Sequence, residues 1–338
     1  MRIAVDALGG DHGVRPNVVG AAQALAAAPD LHIALIGPQA ELETALAALG
    51  SFPADRLEII PCTDYIGMNE KPVEALRKKP ESSIAKAWKL TATKQVDGFV
   101  SAGNTGAVVA GGLFSKRFLK GVRRPGIAAT MPNVKGACVV MDVGANVFPK
   151  ASHLVQYGVM GAAFAKHMLG IADPRIGLMN VGEEEGKGHE LVQATYNYFR
   201  NGPLAPRFLG NVEGRDVHKG VADVIVTDGF VGNVLLKHAE GCLDFIMGMV
   251  GKDVVGALAT ERDIAMKAVK QLIGKFHYSA AGGAPLLGID GVCIICHGSS
   301  DERAIANAIG AAVKNVHVKL NEHITEELAA LPPMGDEV

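Results

Sequence analysis

One device occurs five times in this chain: an apolar run ending in a glycine turn that carries amide, hydroxyl or acid side chains. The turns are Ser101–Gly106, Asp142–Asn146, Asn180–Glu183, Thr227–Asn233 and His297–Ser300. Each follows a stretch rich in Val, Ile or Met and precedes a helical pattern. The carboxyl ends of parallel strands look like this, and open α/β sheets bind their ligands there. Glycine lets the chain turn sharply out of a strand and leaves backbone N–H groups uncovered. Such N–H groups, together with helix N-termini, suit a phosphate or a carboxylate. The pattern therefore points to an enzyme that handles a small oxyanion.

Strand-like runs fall at Ile3–Val5, His32–Ile36, Leu57–Ile60, Gly98–Val100, Ile127–Thr130, Cys138–Met141, Ile176–Met179, Arg207–Leu209, Val224–Val226 and Val292–Cys296. They alternate with helical patterns at Pro16–Ala27, Ala40–Leu49, Ser83–Thr93, Gly106–Leu119, His153–Leu169, His189–Arg200 and Asp301–Leu320. This alternation predicts an α/β fold, a mostly parallel sheet with helices on both faces. Runs such as Val139-Val140-Met141 are apolar at every position and predict strands buried on both faces. No linker interrupts the alternation, so 1–338 reads as one domain, with a disordered tail from Pro332. One subregion, 231–278, differs: it has no strand signal and two long helical patterns. The first is apolar almost all round, as in a buried or interface helix. The second gathers Val255, Leu258, Val269, Leu272 and Phe276 on one face, with Lys267 and Lys270 away from it. A helix packed on its own core or on a second subunit is one reading. A protruding amphipathic pair that touches membrane or an acidic carrier is the other.

A formal charge of −2 excludes a global basic field for nucleic acid and leaves room only for a local patch. Five cysteines, odd in number and sparse, suggest free buried thiols in a reducing compartment. Asp6 interrupts the amino terminus before an export signal could form, and no apolar run reaches the roughly 20 residues of a membrane span. A cytoplasmic protein is expected.

Neither a dinucleotide fingerprint nor a P-loop is present. Asp6-Ala7-Leu8-Gly9-Gly10-Asp11 follows the first strand and places two carboxylates around two glycines; Asp11 either serves the site or caps the next helix. Asn104-Thr105-Gly106 opens a helix of small residues and is the strongest anion cradle. Glu183–His189 sets Lys187 between glycines, where it can close over a phosphate; a solvated charge run is the plainer reading. Cys293–His297 spells a haem-attachment string, but it lies in a strand whose alternation sends the two thiols to opposite faces. His297 itself ends that strand in line with the other ligand-facing turns. No metal-ligand cluster stands out.

In order along the chain, Asp6–Asp11, Ser101–Gly106, Asp142–Asn146, Gly182–Gly188, Gly229–Asn233 and Gly282–Gly288 resemble the motifs of the bacterial acyl-ACP:phosphate acyltransferases, the PlsX family. Leu8 and Ser279-Ala280-Ala281 depart slightly from the family pattern. The resemblance implies a fold like that of phosphotransacetylases and the isocitrate dehydrogenase group. It also implies a homodimer on the inner face of the membrane, with acyl carrier protein and inorganic phosphate as partners and no cofactor or nucleic acid. The implied reaction moves a long acyl chain from the carrier to phosphate.

On that basis Ser101, Asn104, Thr105, Asn146 and Lys187 are expected to bind phosphate. Asn180, Asn233 and His297 are expected to supply oxyanion donors, while Asp6, Gly9, Gly10, Asp11, Asp228 and Ser299 shape the site. Leu258, Lys267, Val269, Lys270, Leu272 and Phe276 are expected to meet membrane or carrier, and the helices around them to cradle the acyl chain. A phosphotransacetylase acting on a coenzyme A thioester is the alternative. A metal-dependent decarboxylating dehydrogenase would need a carboxylate cluster that is not apparent, and a scaffold would not need five polar turns.

Overall fold

The computed structural model describes residues 1–276 and 282–332, without the side chains of 272–276. The strands are β1 (Arg2–Asp6), β2 (His32–Gly37), β3 (Leu57–Pro61), β4 (Gly98–Ser101), β5 (Gly126–Asn133), β6 (Gly136–Met141), β7 (Ile176–Met179), β8 (Phe208–Val212), β9 (Val224–Val226), β10 (Ala284–Leu287) and β11 (Val292–Ile295). All join one sheet in the order β3-β2-β1-β4-β11-β10-β5-β6-β9-β7-β8. The β10–β11, β10–β5 and β5–β6 pairings are antiparallel and the rest parallel. The expected mostly parallel sheet is present, and its reversals make β6–β9 point opposite to β1–β4 and β11.

Helices α1 (Val14–Ala27), α2 (Gln39–Ala47), α3 (Pro72–Lys78), α4 (Ser83–Ala92), α5 (Thr105–Ser115), α6 (Ala151–Leu169), α7 (Glu190–Asn201), α8 (Gly229–Met249), α9 (Arg262–Phe276), α10 (Glu302–His317) and α11 (Leu320–Ala329) cover both faces. Strand alternation distributes the core accordingly. Ile3, Val5, Ile294 and Cys296 pack toward α1 and α10, and Val139, Met141, Val224 and Val226 toward α6. Ala4, Phe99, Val140, Cys293 and Ile295 face a third core on the other side, which joins α4 and α5 to the start of α8. Cys293 and Cys296 thus do lie on opposite faces; both are buried, and burial pushes the Cys296 thiol up to about 12.

Several expected elements shift. β10 is an addition to the expected strands, an antiparallel insertion between β11 and β5. The helix expected to run to Leu119 stops at Ser115, where Lys116 takes a left-handed conformation and Phe118 then bridges to Ile289. The helix expected over Asp301–Leu320 ends at His317, and α11 begins after Lys319 at φ 53°. The short helix α3 was missed as well.

The helix apolar all round, α8, is not buried on its own core. Leu235, Leu236 and Ala239 pack on the sheet side, whereas Phe245 is 68% and Ile246 54% exposed. Beyond a π-helical turn, Val250–Val255, α9 continues outward with Ile264 71% exposed. Among the described residues no helix is long and apolar enough to cross a membrane. Cys242 is exposed on α8, against the expectation of buried thiols; Cys62, Cys138, Cys293 and Cys296 are buried. The Ser279–Ala281 segment and the expected disordered tail beyond Pro332 lie outside the described residues.

Candidate active site

The first group of turns is assembled by β1, β4 and β11, which lie side by side. Asp6 stands opposite Ser101 in the register, and Ser101 Oγ donates to Asp6 Oδ2 at 2.7 Å while accepting from Gly103 N. Asp6 is buried, also accepts from Leu8 N, and is reached by Ser83; burial raises its pKa against the pull of these bonds. Gly9 is required here because a Cβ would sit 2.7 Å from Gly103 N. Asp11 N donates to Gly298 O, closing the Asp6–Asp11 turn onto His297–Ser300. Asp11 does not cap α1, whose N-cap is Gly13 with no side-chain bond. His297 is exposed and its Nδ1 lies 2.7 Å from Ser299 Oγ.

The second group lies on β6, β9 and β7, again adjacent. Asp142 is fully buried and accepts from the backbone N–H groups of Ile127, Gly144, Ala145 and Asn146. Burial nonetheless raises its pKa, the N–H groups pulling it down. The Thr227–Asn233 turn docks directly on this one. Gly229 N donates to Asn146 O, Asn233 Nδ2 donates to Val143 O at 3.0 Å, and a Cβ on Gly232 would collide with the Asp142 carbonyl. Asp228 caps α8 by accepting from Phe230 N and Val231 N. On the neighbouring strand Asn180 Nδ2 holds Lys187 O and its Oδ1 accepts from Val181 N. That bond shapes the glycine loop and leaves the Lys187 side chain exposed, with no ion pair among the described residues.

The structure divides the expected phosphate ligands. Thr105 is exposed just beyond β4, and Lys187 is exposed in the loop between β7 and α7. Ser101 is buried on Asp6, and Asn104 is committed elsewhere: its Oδ1 caps Ala107 N and its Nδ2 donates to Gly67 O, Met68 O and Glu70 O. Asn146 Nδ2 is likewise taken, by Pro125 O, Asp142 Oδ2 and Tyr157 Oη. These three side chains order the turns from within, because amides and hydroxyls at buried strand ends must be satisfied internally. Gly10 has φ 104°, which secures the first turn.

Two ordering residues escaped the sequence reading. Asn17, buried in α1, donates to Ala7 O and Gly9 O, and buried Tyr157 receives Asn146. An amide on the apolar face of a helix is the signal that would have found Asn17. Both groups of turns adjoin the same core, through Leu8 after β1 and Ala145 after β6. A groove of about 720 Å³ between α1, α10 and α6, and a smaller one of about 490 Å³ at the amino ends of β1–β3, are lined by none of the turn residues.

Between α8 and α9 Leu258 is 40% exposed, and on α9 Lys267 and Lys270 are exposed and Val269 is half-buried; the side chains of Leu272 and Phe276 lie outside the described part.

A family model described as "Fatty acid synthesis protein" matches residues 1–323. The chain is 41% identical to the phosphate acyltransferase of Dictyoglomus thermophilum, covering 99% of this chain and 100% of that one. It belongs to the phosphate acyltransferase family. A second relative, the phosphate acyltransferase of Halothermothrix orenii, is 41% identical over 97% of this chain and 98% of its own. The chain is accordingly a phosphate acyltransferase, an enzyme of the fatty acid synthesis group.

The fold resembles a phosphotransacetylase from Streptococcus pyogenes, with TM-score 0.61 and 21% identity over 94% of each chain. It also resembles a branched-chain phosphotransacylase from Enterococcus faecalis, with TM-score 0.58 and 17% identity over 94% of this chain and 99% of that one. The expected α/β architecture stands on these likenesses as well as on the sheet.

Proposed function

We propose that this enzyme transfers a long-chain acyl group from acyl carrier protein to inorganic phosphate, forming acyl phosphate by direct attack of phosphate on the thioester. The observation that carries the reading is Lys187: an exposed cation on the glycine loop between β7 and α7, whose backbone carbonyl is held by Asn180 Nδ2 and whose ammonium makes no ion pair among the described residues. A phosphate dianion is the anion such a group can meet, and the likeness to enzymes named phosphate acyltransferases supports the choice.

Phosphate is already nucleophilic, so no activated side chain is needed. The buried thiols Cys62, Cys138, Cys293 and Cys296 have raised pKa values and stay protonated. A phosphate oxygen forms a bond to the carbonyl carbon, and the resulting tetrahedral oxyanion collapses by expelling the carrier thiolate. Lys187, Thr105 and the first N–H groups of α5 would hold phosphate. His297 would donate to the oxyanion, with Asn233 offering only the Nδ2 hydrogen that Val143 O does not hold, and Asn180 would act by positioning Lys187. Asp6 and Asp142 keep the turns in shape.

The exposed apolar residues of α8 and α9 support peripheral membrane contact or a second subunit, with Lys267 and Lys270 against anionic lipid or carrier. Lys267→Glu with Lys270→Glu is expected to weaken vesicle or carrier binding, and unaltered binding of both refutes that role. The reaction itself is tested by comparing kcat/KM for palmitoyl-carrier and palmitoyl-CoA with phosphate as acceptor. Preference for the carrier supports the proposal; reaction with the coenzyme A thioester alone replaces it with a phosphotransacetylase-like activity.

A further inference from the structure

Large apolar side chains are unevenly placed around the two groups of turns. The turns of the first group, Asp6–Asp11, Ser101–Gly106 and His297–Ser300, hold no large hydrophobic side chain that is exposed. In the second group every strand end carries one or two: Val147 and Phe148 after β6, Val181 after β7, and Phe230 and Val231 after β9. Phe148 is 96%, Val181 82% and Phe230 61% exposed. Single apolar residues on a surface are ordinary, but a cluster of them beside a site marks a place where something apolar binds.

The backbone brings these residues together. Met141, Val226 and Leu178 are level across β6, β9 and β7, so the three turns leave the sheet at one height. Gly229 N donates to Asn146 O at 2.8 Å, and a Cβ on Gly229 would meet the Asn146 backbone at 2.7 Å. Val147 and Phe230 are the immediate neighbours of that contact, and Phe148 is the next residue out. From there Val231, Val234, Phe245 and Met249, all exposed, fall on one side of α8 at helical spacing. Between the first and last of these the helix runs about 27 Å.

We infer that this strip, from Phe148, Val181 and Phe230 outward along α8, receives the acyl chain of the thioester substrate. The inference rests on the acyl-transfer reading above, whichever thioester is the donor, and adds where the hydrocarbon lies. An enzyme of this family must seat an acyl group beside its reacting centre. The first group of turns offers that group no exposed apolar surface, and neither described groove is lined by a turn residue. The strip alone joins the turns without a break, and it leaves the polar atoms of both groups to the reacting centre. Because it is open rather than walled, it favours long chains gradually instead of cutting off at one length.

The test uses the intact enzyme as wild type, as Phe148→Ser, and as Phe148→Ser combined with Phe230→Ser. The kcat/KM for acyl phosphate formation is measured with palmitoyl- and butyryl-carrier and with the two coenzyme A thioesters. Sedimentation and pelleting on phosphatidylglycerol vesicles accompany the kinetics. Both phenylalanines are exposed, so the variants should fold. The palmitoyl-to-butyryl ratio of kcat/KM should fall about tenfold or more in the double variant and severalfold in the single one. An unchanged ratio overturns the inference. If vesicle binding is lost at an unchanged ratio, the strip belongs to lipid, and if the oligomer dissociates at an unchanged ratio, it belongs to a subunit contact. Folded wild type that makes acyl phosphate from neither kind of thioester instead overturns the reading on which the inference rests.

Discussion

Asp6 and Asp142 each mark the end of a strand at the head of one group of turns, and both are buried, yet they are satisfied by different means. Asp142 gathers four backbone N–H groups, three from its own turn and one from Ile127 on β5. Asp6 relies on hydroxyls, from Ser101 on the neighbouring strand and from Ser83, with help from Leu8 N. A carboxylate that holds backbone defines the path of the chain itself. One that holds hydroxyls positions side chains on a path fixed by packing. In the site proposed here, the second group of turns is therefore the more constrained half, and the first the half whose hydroxyls can turn. That division suits an enzyme that must hold one oxyanion while another develops.

The comparison breaks most readily at Asp142. Asp142→Ala leaves the buried Ile127 N–H and three half-buried turn N–H groups without an acceptor, at about 1–3 kcal/mol each where water cannot enter. Its expected loss of stability exceeds about 3 kcal/mol, against about 1–3 kcal/mol for Asp6→Ala, whose hydroxyl partners can rotate to other acceptors. Urea denaturation of both variants measures the difference, and equal losses would remove the distinction between the halves.

Next in size is a pH effect at Asp6. Its folded-state pKa lies above the ordinary carboxylate value, so the folded chain holds this proton to higher pH than the unfolded chain does. Stability contributed here is present at low pH and falls as pH rises through the window above about 3.9. The melting temperature of wild type relative to Asp6→Asn should therefore drop on raising the pH from about 4 to neutrality. A difference that stays flat with pH contradicts the assignment.

Lys187→Ala should raise the KM for phosphate about tenfold or more, with the melting temperature unchanged, because the ammonium makes no internal ion pair among the described residues. Unchanged phosphate kinetics would refute its role. The smallest effect is expected from Asn104→Ala: about 1–2 kcal/mol of stability, from the lost cap and the freed 67–70 loop. If calorimetry finds no such loss while phosphate affinity falls sharply, Asn104 is a ligand after all.

The strand ends were legible because glycine, small polar residues and a change of period coincide at each of them. All five turns fall where parallel strands end. The destination of each side chain was not legible. Asn104 looks like an anion donor in the sequence, but its amide bonds to carbonyls at Gly67, Met68 and Glu70, a contact created only by tertiary packing. Asn146 is withdrawn in the same way by Pro125 and Tyr157. β10 carries Pro285, a residue type that sequence propensity disfavours in strands, so only the pairing with β11 and β5 reveals it. On α8 the periodicity identified a helix apolar on all sides, but no single-chain pattern distinguishes a helix buried by its own core from one that awaits a partner.

The most direct test of the central claim is mass-spectrometric detection of acyl phosphate after mixing the purified enzyme with palmitoyl-carrier and inorganic phosphate, with no nucleotide added. The account predicts acyl phosphate and free carrier in equal amounts, both dependent on phosphate concentration. Release of carrier with free fatty acid and no acyl phosphate, or no reaction at all with folded enzyme, would contradict it.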